Sequence, residues 1–268
     1  MEFGISLDPF SVPQRHALYD SDEEDEQADT QQADFVFQPS TLDSTHKNNT
    51  LVVAIGQTAC IFAKSLFTLS PLSTLEASTR GIFQGTYFPK TGEGSCLVSE
   101  LMCADGGDVV FCLHEKNLKP EHVMAWFKKV FGVVSPTRVL ILTCLCAYMH
   151  FSPHSDELSP QTCFLRTMST SSWSQPLFDG AITLEPPNTL SGETAAVLTV
   201  CQLAAISGAV AVLYTKSSES TSEQVAGFTP LLDIPIISPL AKRSPSEAAK
   251  IVKVMEPKPR EDLSSLYT

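Results

Sequence analysis

Positive charge is scarce in this chain. Its 268 residues hold 18 lysines and arginines against 30 aspartates and glutamates, a formal net charge of −12 at pH 7. Displacing counterions from nucleic acid takes a stripe or cluster of basic side chains. None is present, which argues against nucleic acid as a partner. The imbalance is also local. Residues 1–50 carry eleven acidic and two basic side chains, so −9 of the total sits there and the other 218 residues are close to neutral.

Signatures of chemistry are missing too. None of the eight cysteines stands in a CxxC pair or at a Cys/His spacing suited to zinc. Most lie inside apolar runs such as VVFCL and ILTCLC, where a free cysteine packs as a small hydrophobe. Cys144 and Cys146, two apart on a predicted strand, share a face and read as packing residues. Free thiols imply a reducing compartment, and a cytoplasmic location is expected. The first twenty residues lack a basic start and an apolar run, so no secretory leader is expected and Asn48-Asn49-Thr50 reads as a chance glycosylation pattern.

No GxGxxG, GxxxxGK[ST] or GxSxG occurs. Gly56 after a strand reads as a tight strand-to-helix turn, and Gly92-Glu93-Gly94-Ser95 precedes a strand where a phosphate site needs a helix N-terminus. His16 and His46 fall in the acidic front, beside His114 and His122 further on; His150 and His154 form a His-x₃-His pair off any predicted helix, a poor metal geometry. No pair of carboxylates is placed for acid–base work. These absences point to a protein that acts by binding other proteins, without catalysis, metal or cofactor.

What is present falls into three parts. Residues 1–47, with the run Asp22-Glu23-Glu24-Asp25-Glu26, combine like charges with little apolar area and are expected to be disordered. Ser21, just before that run, has the surroundings of an acid-directed kinase site, or belongs to an unmodified solubilising tail. Residues 48–255 alternate strands and helices. Residues 256–268 begin Glu256-Pro257-Lys258-Pro259-Arg260, which forbids helix and projects the last eight residues as an extended tail.

Within the middle part, the continuous apolar run Leu51–Ile55 suits a strand covered on both faces. A helix is predicted over Ala59–Leu69, stopped near Pro71. Cys96–Cys103 and Val109–Leu113 flank Asp105-Gly106-Gly107 and predict a hairpin. Pro120 opens a helix that Gly132 closes, with Val123, Trp126, Phe127, Val130 and Phe131 on one face. Val139–Cys146 reads as a buried strand, and 147–180 as a long polar connection with one short helix near Cys163–Thr167. Ala181–Leu184 then predicts a strand. The apolar stretch Ala195–Tyr214 approaches membrane-spanning length, but Gln202 and Ser207-Gly208 interrupt it. A buried helix from Glu193 ending at Gly208, then a strand to Tyr214, reads it better, so no membrane is expected. Helices near Glu223–Leu232 and from the capping box Ser244-Pro245-Ser246-Glu247 to Met255 complete the domain. The whole predicts a three-layer α/β/α domain with a mostly parallel sheet and one hairpin.

The tail ends Leu266-Tyr267-Thr268: an apolar residue, a tyrosine with a rigid apolar face and a polar handle, and a carboxylate that a lysine or backbone amides can capture. With Leu51–Gly56, Lys129-Val130-Phe131-Gly132, Ile141-Leu142-Thr143-Cys144, Phe164-Leu165-Arg166, Leu184-Glu185-Pro186-Pro187-Asn188 and Ala195–Leu198 with Cys201-Gln202, the chain resembles the proteasome assembly chaperones over about residues 50–268. The resemblance implies a fold like purine nucleoside phosphorylase without its catalytic residues. It implies a heterodimer with proteasome assembly chaperone 2 and a client, the proteasome α subunits. It also implies that Leu266, Tyr267 and Thr268 match the family's hydrophobic–tyrosine–any-residue motif, which inserts between neighbouring α subunits. Residues 72–95 and 147–180 show little of the family pattern. A nucleosidase-like enzyme on the same fold is the competing reading.

Overall fold

A computed structural model describes residues 34–38, 50–77, 82–84, 96–105, 107–151, 163–216 and 220–241. Strand β2 (Thr50–Ile55) is buried at every position, as its unbroken apolar run requires. It pairs in parallel with β5 (Val109–His114) on one side and β6 (Arg138–Cys146) on the other, and β6 pairs in parallel with β8 (Ser207–Thr215). Antiparallel strands flank this parallel centre. The predicted hairpin is formed by β4 (Cys96–Ala104) and β5; beyond it lie β3 (Leu69–Ala77) and β1 (Phe35–Gln38), and β7 (Cys163–Ser169) closes the far edge against β8. The sheet order is β1-β3-β4-β5-β2-β6-β8-β7.

Alternation along the strands sends two sets of side chains to two cores. On one face Leu51, Val53, Ile141, Val210 and Val212 pack under α2 (Pro120–Val134) and α3 (Gly192–Leu203). On the other, Val52, Ala54, Leu140, Leu142 and Ala211 pack under α1 (Gln57–Leu66) and α4 (Ser222–Ala226), with the 3₁₀ turns Thr229–Asp233 and Ser238–Leu240. The three-layer α/β/α arrangement expected from the sequence is the one observed.

Several boundaries differ. Phe35–Gln38, inside the segment expected to be disordered, is an edge strand whose Phe35 is buried in the core. Its short apolar alternation is diluted by the acidic composition around it. Leu69–Ala77, missed because Pro71 reads as a helix stop, is a strand. Pro71 lies beside a register shift and beyond the stretch that β1 pairs, positions where a missing N–H is tolerated. Helix α2 does not stop at Gly132 but continues to Val134, which is buried, and ends on left-handed Ser135, whose N–H bonds Phe131 O at 2.9 Å. Cys163–Ser169 is a strand, not a helix, because Phe164 and Met168 face one core while Cys163 and Leu165 face the other. The strand predicted at Ala181–Leu184 is reduced to a single bridge, Thr183 to Thr167.

The stretch Ala195–Tyr214 divides into α3 and β8, the helix ending at Leu203, several residues short of Gly208. Among the described residues no helix is long and apolar enough to cross a membrane. Near Glu223–Leu232 the single predicted helix is α4 followed by the 3₁₀ turn Thr229–Asp233. The predicted helix Ser244–Met255, Ser21, the acidic run and the tail lie outside the described residues.

Candidate protein-docking site

The carboxyl end of β6 leads into a 3₁₀ turn, Ala147–Met149, followed by His150 and Phe151. Here large apolar side chains face outward: Tyr148 is 85%, Met149 55% and Phe151 60% exposed, while His150 between them is buried. The imidazole of His150 wedges edge-on against Phe164 (centroids 5.0 Å apart) and Tyr214 (4.8 Å), which are stacked on each other at 5.2 Å. Its Nε2 lies 3.2 Å from Glu185 Oε1, at ion-pair distance but outside hydrogen-bond alignment. Arg166 donates from Nε to Glu185 Oε2 at 3.1 Å and lies over the Phe164 ring at 4.9 Å. Burial pushes the Glu185 carboxyl up, but its own backbone amide and the Arg166 guanidinium outweigh this and hold it below the usual glutamate range.

The backbone is gripped as well. Asn188 accepts the Phe151 N–H through Oδ1 at 2.7 Å and donates from Nδ2 to Phe151 O at 2.8 Å. Asn188 is itself fixed by the turn from Glu185, whose carbonyl accepts both its N–H and its Nδ2. Two of the sequence blocks that carried the family resemblance, Phe164-Leu165-Arg166 and Leu184–Asn188, thus meet around one buried histidine and hold an exposed aromatic ridge in place. A ridge whose backbone is fixed before contact loses less freedom on binding. Sequence reading missed it, although Tyr148-Met149-His150-Phe151 is a run of bulky residues in a connection otherwise read as polar.

A second cluster lies in the core between α2, α3 and β4. Ser99, His114 and Glu193 have the composition of a hydrolytic triad. His114 Nδ1 is 2.9 Å from Val98 O, which can only accept, so Nδ1 carries the proton and cannot take one from Ser99 Oγ at 3.0 Å. Ser99 Oγ also accepts from Trp126 Nε1 at 2.8 Å. His114 Nε2 stands 3.7 Å from Glu193 Oε1, which in turn accepts the Leu118 N–H, and all three members are buried. The cluster ties two helices to the sheet.

The remaining sequence candidates fall as follows. Gly56 has φ 87° and its N–H bonds His114 O at 2.8 Å, so it is the tight turn into α1 with its donor already used. Cys144 contacts Thr215 Oγ1 at 3.5 Å, and burial pushes its thiol up, away from the reactive thiolate. His150 serves the ridge while His154 lies outside the described residues. Among the described residues no group of three or more potential ligands could hold a metal. Leu266, Tyr267 and Thr268 also lie outside them.

The family model described as Proteasome assembly chaperone 4 matches residues 18–268. The chain is similar to Proteasome assembly chaperone 1 of Nematostella vectensis, 28% identical over 205 residues that cover 72% of this chain and 78% of the relative. It is similar also to Proteasome assembly chaperone 1 of Mus musculus, 24% identical over 244 residues (85% and 79%), and of Danio rerio, 35% identical over 146 residues (53% and 50%). Among solved structures it is similar to Pyrococcus furiosus PbaA, an archaeal homolog of proteasome-assembly chaperone, with a TM-score of 0.53 and 13% identity over 78% of this chain and 84% of that one. For PbaB of the same organism, an archaeal proteasome activator, the TM-score is 0.54 at 8% identity, over 84% and 96%. At those identities the likeness is one of fold.

Proposed function

The chain belongs to the proteasome assembly chaperone family, and from that premise we propose that it pairs with proteasome assembly chaperone 2 to promote formation of the proteasome α ring. The ridge Tyr148-Met149-Phe151 is the surface that meets the second chaperone, and Leu266, Tyr267 and Thr268 dock between neighbouring α subunits. The observation that carries this reading is the ridge itself. Three exposed apolar side chains stand on a turn anchored by the buried His150 and by the grip of Asn188 on the Phe151 backbone, which supports reading it as a protein-binding surface. Aromatic anchors of this kind dominate protein interfaces. Leu266 and Tyr267 add an apolar residue and an aromatic anchor, a chemistry that suits insertion into a cleft between subunits.

The test is affinity purification of the full chain from cells, with quantification of co-purifying chaperone 2 and α subunits. Tyr148→Ser with Phe151→Ser is expected to lose chaperone 2. Tyr267→Ala, or a few residues added after Thr268, is expected to keep chaperone 2 and weaken recovery of α subunits. Equal recovery from wild type and all variants would remove the reading.

A further inference from the structure

A groove of about 680 Å³ runs between β1 and α2. Phe37, Ala125, Gly132 and Val133 form its apolar floor, and the exposed Lys128 and Lys129 stand along its rim. Among the described strands β1 pairs only with β3, and an extended segment can pair with an edge of this kind. We propose that this groove is filled by the chain's own segment Leu18-Tyr19-Asp20-Ser21-Asp22-Glu23-Glu24-Asp25-Glu26.

The chemistry of that segment matches the groove in order. Leu18 and Tyr19 supply the apolar and aromatic surface that the floor of Phe37, Ala125 and Val133 would cover. The acidic run that follows meets the two lysines of the rim, the charge complementarity that selects an occupant. Only residues 27–33 separate the run from Asp34, which itself lines the groove. Seven residues extend to roughly 23 Å, enough to fold back over a helix about 10 Å wide. A segment tethered this closely sits at an effective concentration on the order of millimolar, well ahead of any free competitor. A second copy is disfavoured because it brings another chain with the same −12 charge. The family match reaches back to Leu18, where the docking segment begins.

Zero-length carbodiimide cross-linking of the full chain, read by peptide mapping of the monomeric species, tests this and needs no partner protein. The ion pairs of Lys64 with Glu100 (3.0 Å) and Glu115 (3.3 Å) are the internal positive control. Links from Asp22–Glu26 are expected to fall on Lys128 and Lys129 several-fold more than on Lys116 or Lys119. As a second readout, replacing the five acids of the run by Asn and Gln, which leaves the described domain untouched, is expected to raise amide exchange of β1 and of residues 125–133. Links spread evenly over all lysines, links found only between two chains, no links while the control forms, or exchange unchanged by neutralising the run would each overturn the proposal.

Discussion

Asn188 holds the backbone of Phe151 by both of its polar groups, accepting the N–H at 2.7 Å and donating to the carbonyl at 2.8 Å. One side chain therefore fixes the backbone that carries an exposed ring far from it in sequence. In Asn188→Ala the freed backbone groups turn to water, so stability is expected to fall by only about 1 kcal/mol. Capture of the second chaperone is expected to fall more, because a loosened ridge must be ordered on binding. Melting temperature and co-purification measured on the same variant separate the two effects; a loss confined to stability would mean that the clamp serves the fold alone.

The position of Phe35 moves the start of the folded unit. Phe35 is buried beneath β1 in the core that α2 covers. Phe35→Ala is expected to cost about 3 kcal/mol, by lost burial plus the cavity left behind. A chain starting at Asp34 should keep a cooperative transition, whereas one starting at Asn48 loses β1 and should melt lower. Denaturant titration of the three variants checks it.

Glu193 predicts an acid dependence of stability. Burial pushes its carboxyl up, but the neighbouring His114 imidazole, its own amide and the Leu118 N–H outweigh that and hold it below the usual glutamate range. A depressed folded-state value stabilises the fold above the unfolded glutamate range and is lost as pH falls through the folded value. Glu193→Gln is expected to cost about 2 kcal/mol at neutral pH, the order of a hydrogen bond to a charged group. The gap between the two proteins should close on acidification. A gap that stays constant with pH would show that the carboxylate charge contributes nothing.

Gly208 is the second residue of β8 and lies against α3, and a Cβ there would lie 2.7 Å from Cys201 Cβ and 3.1 Å from Thr170 Cγ2. Neither neighbour is the far end of a flexible side chain, so Gly208→Ala is expected to destabilise by about 1–3 kcal/mol through overpacking. Thermal unfolding of the single variant is sufficient; an unchanged melting temperature would mean that helix and strand separate without cost.

The residues themselves determined the centre of this protein. Leu51–Ile55 and Val109–Leu113 are apolar at every position and Val139–Cys146 at all but Thr143, a pattern that suits strands covered on both faces, and all three lie in the parallel heart of the sheet. Val123, Trp126, Phe127 and Val130 likewise wrote the buried face of α2 into their spacing. The edges and the ridge were decided by tertiary structure. Phe35–Gln38 and Cys163–Ser169 are short, and each is a strand because a neighbour supplies its hydrogen bonds and the layers beside it receive its apolar side chains. Gly132 carries a local stop signal that the buried Val134 overrides. His150 showed a histidine in a polar loop, and only the approach of Glu185, Phe164 and Tyr214 made it the peg beneath an exposed aromatic ridge. Periodicity reports which face of a segment is covered; which distant residues do the covering depends on how the layers pack, and that is not carried by any one stretch of chain.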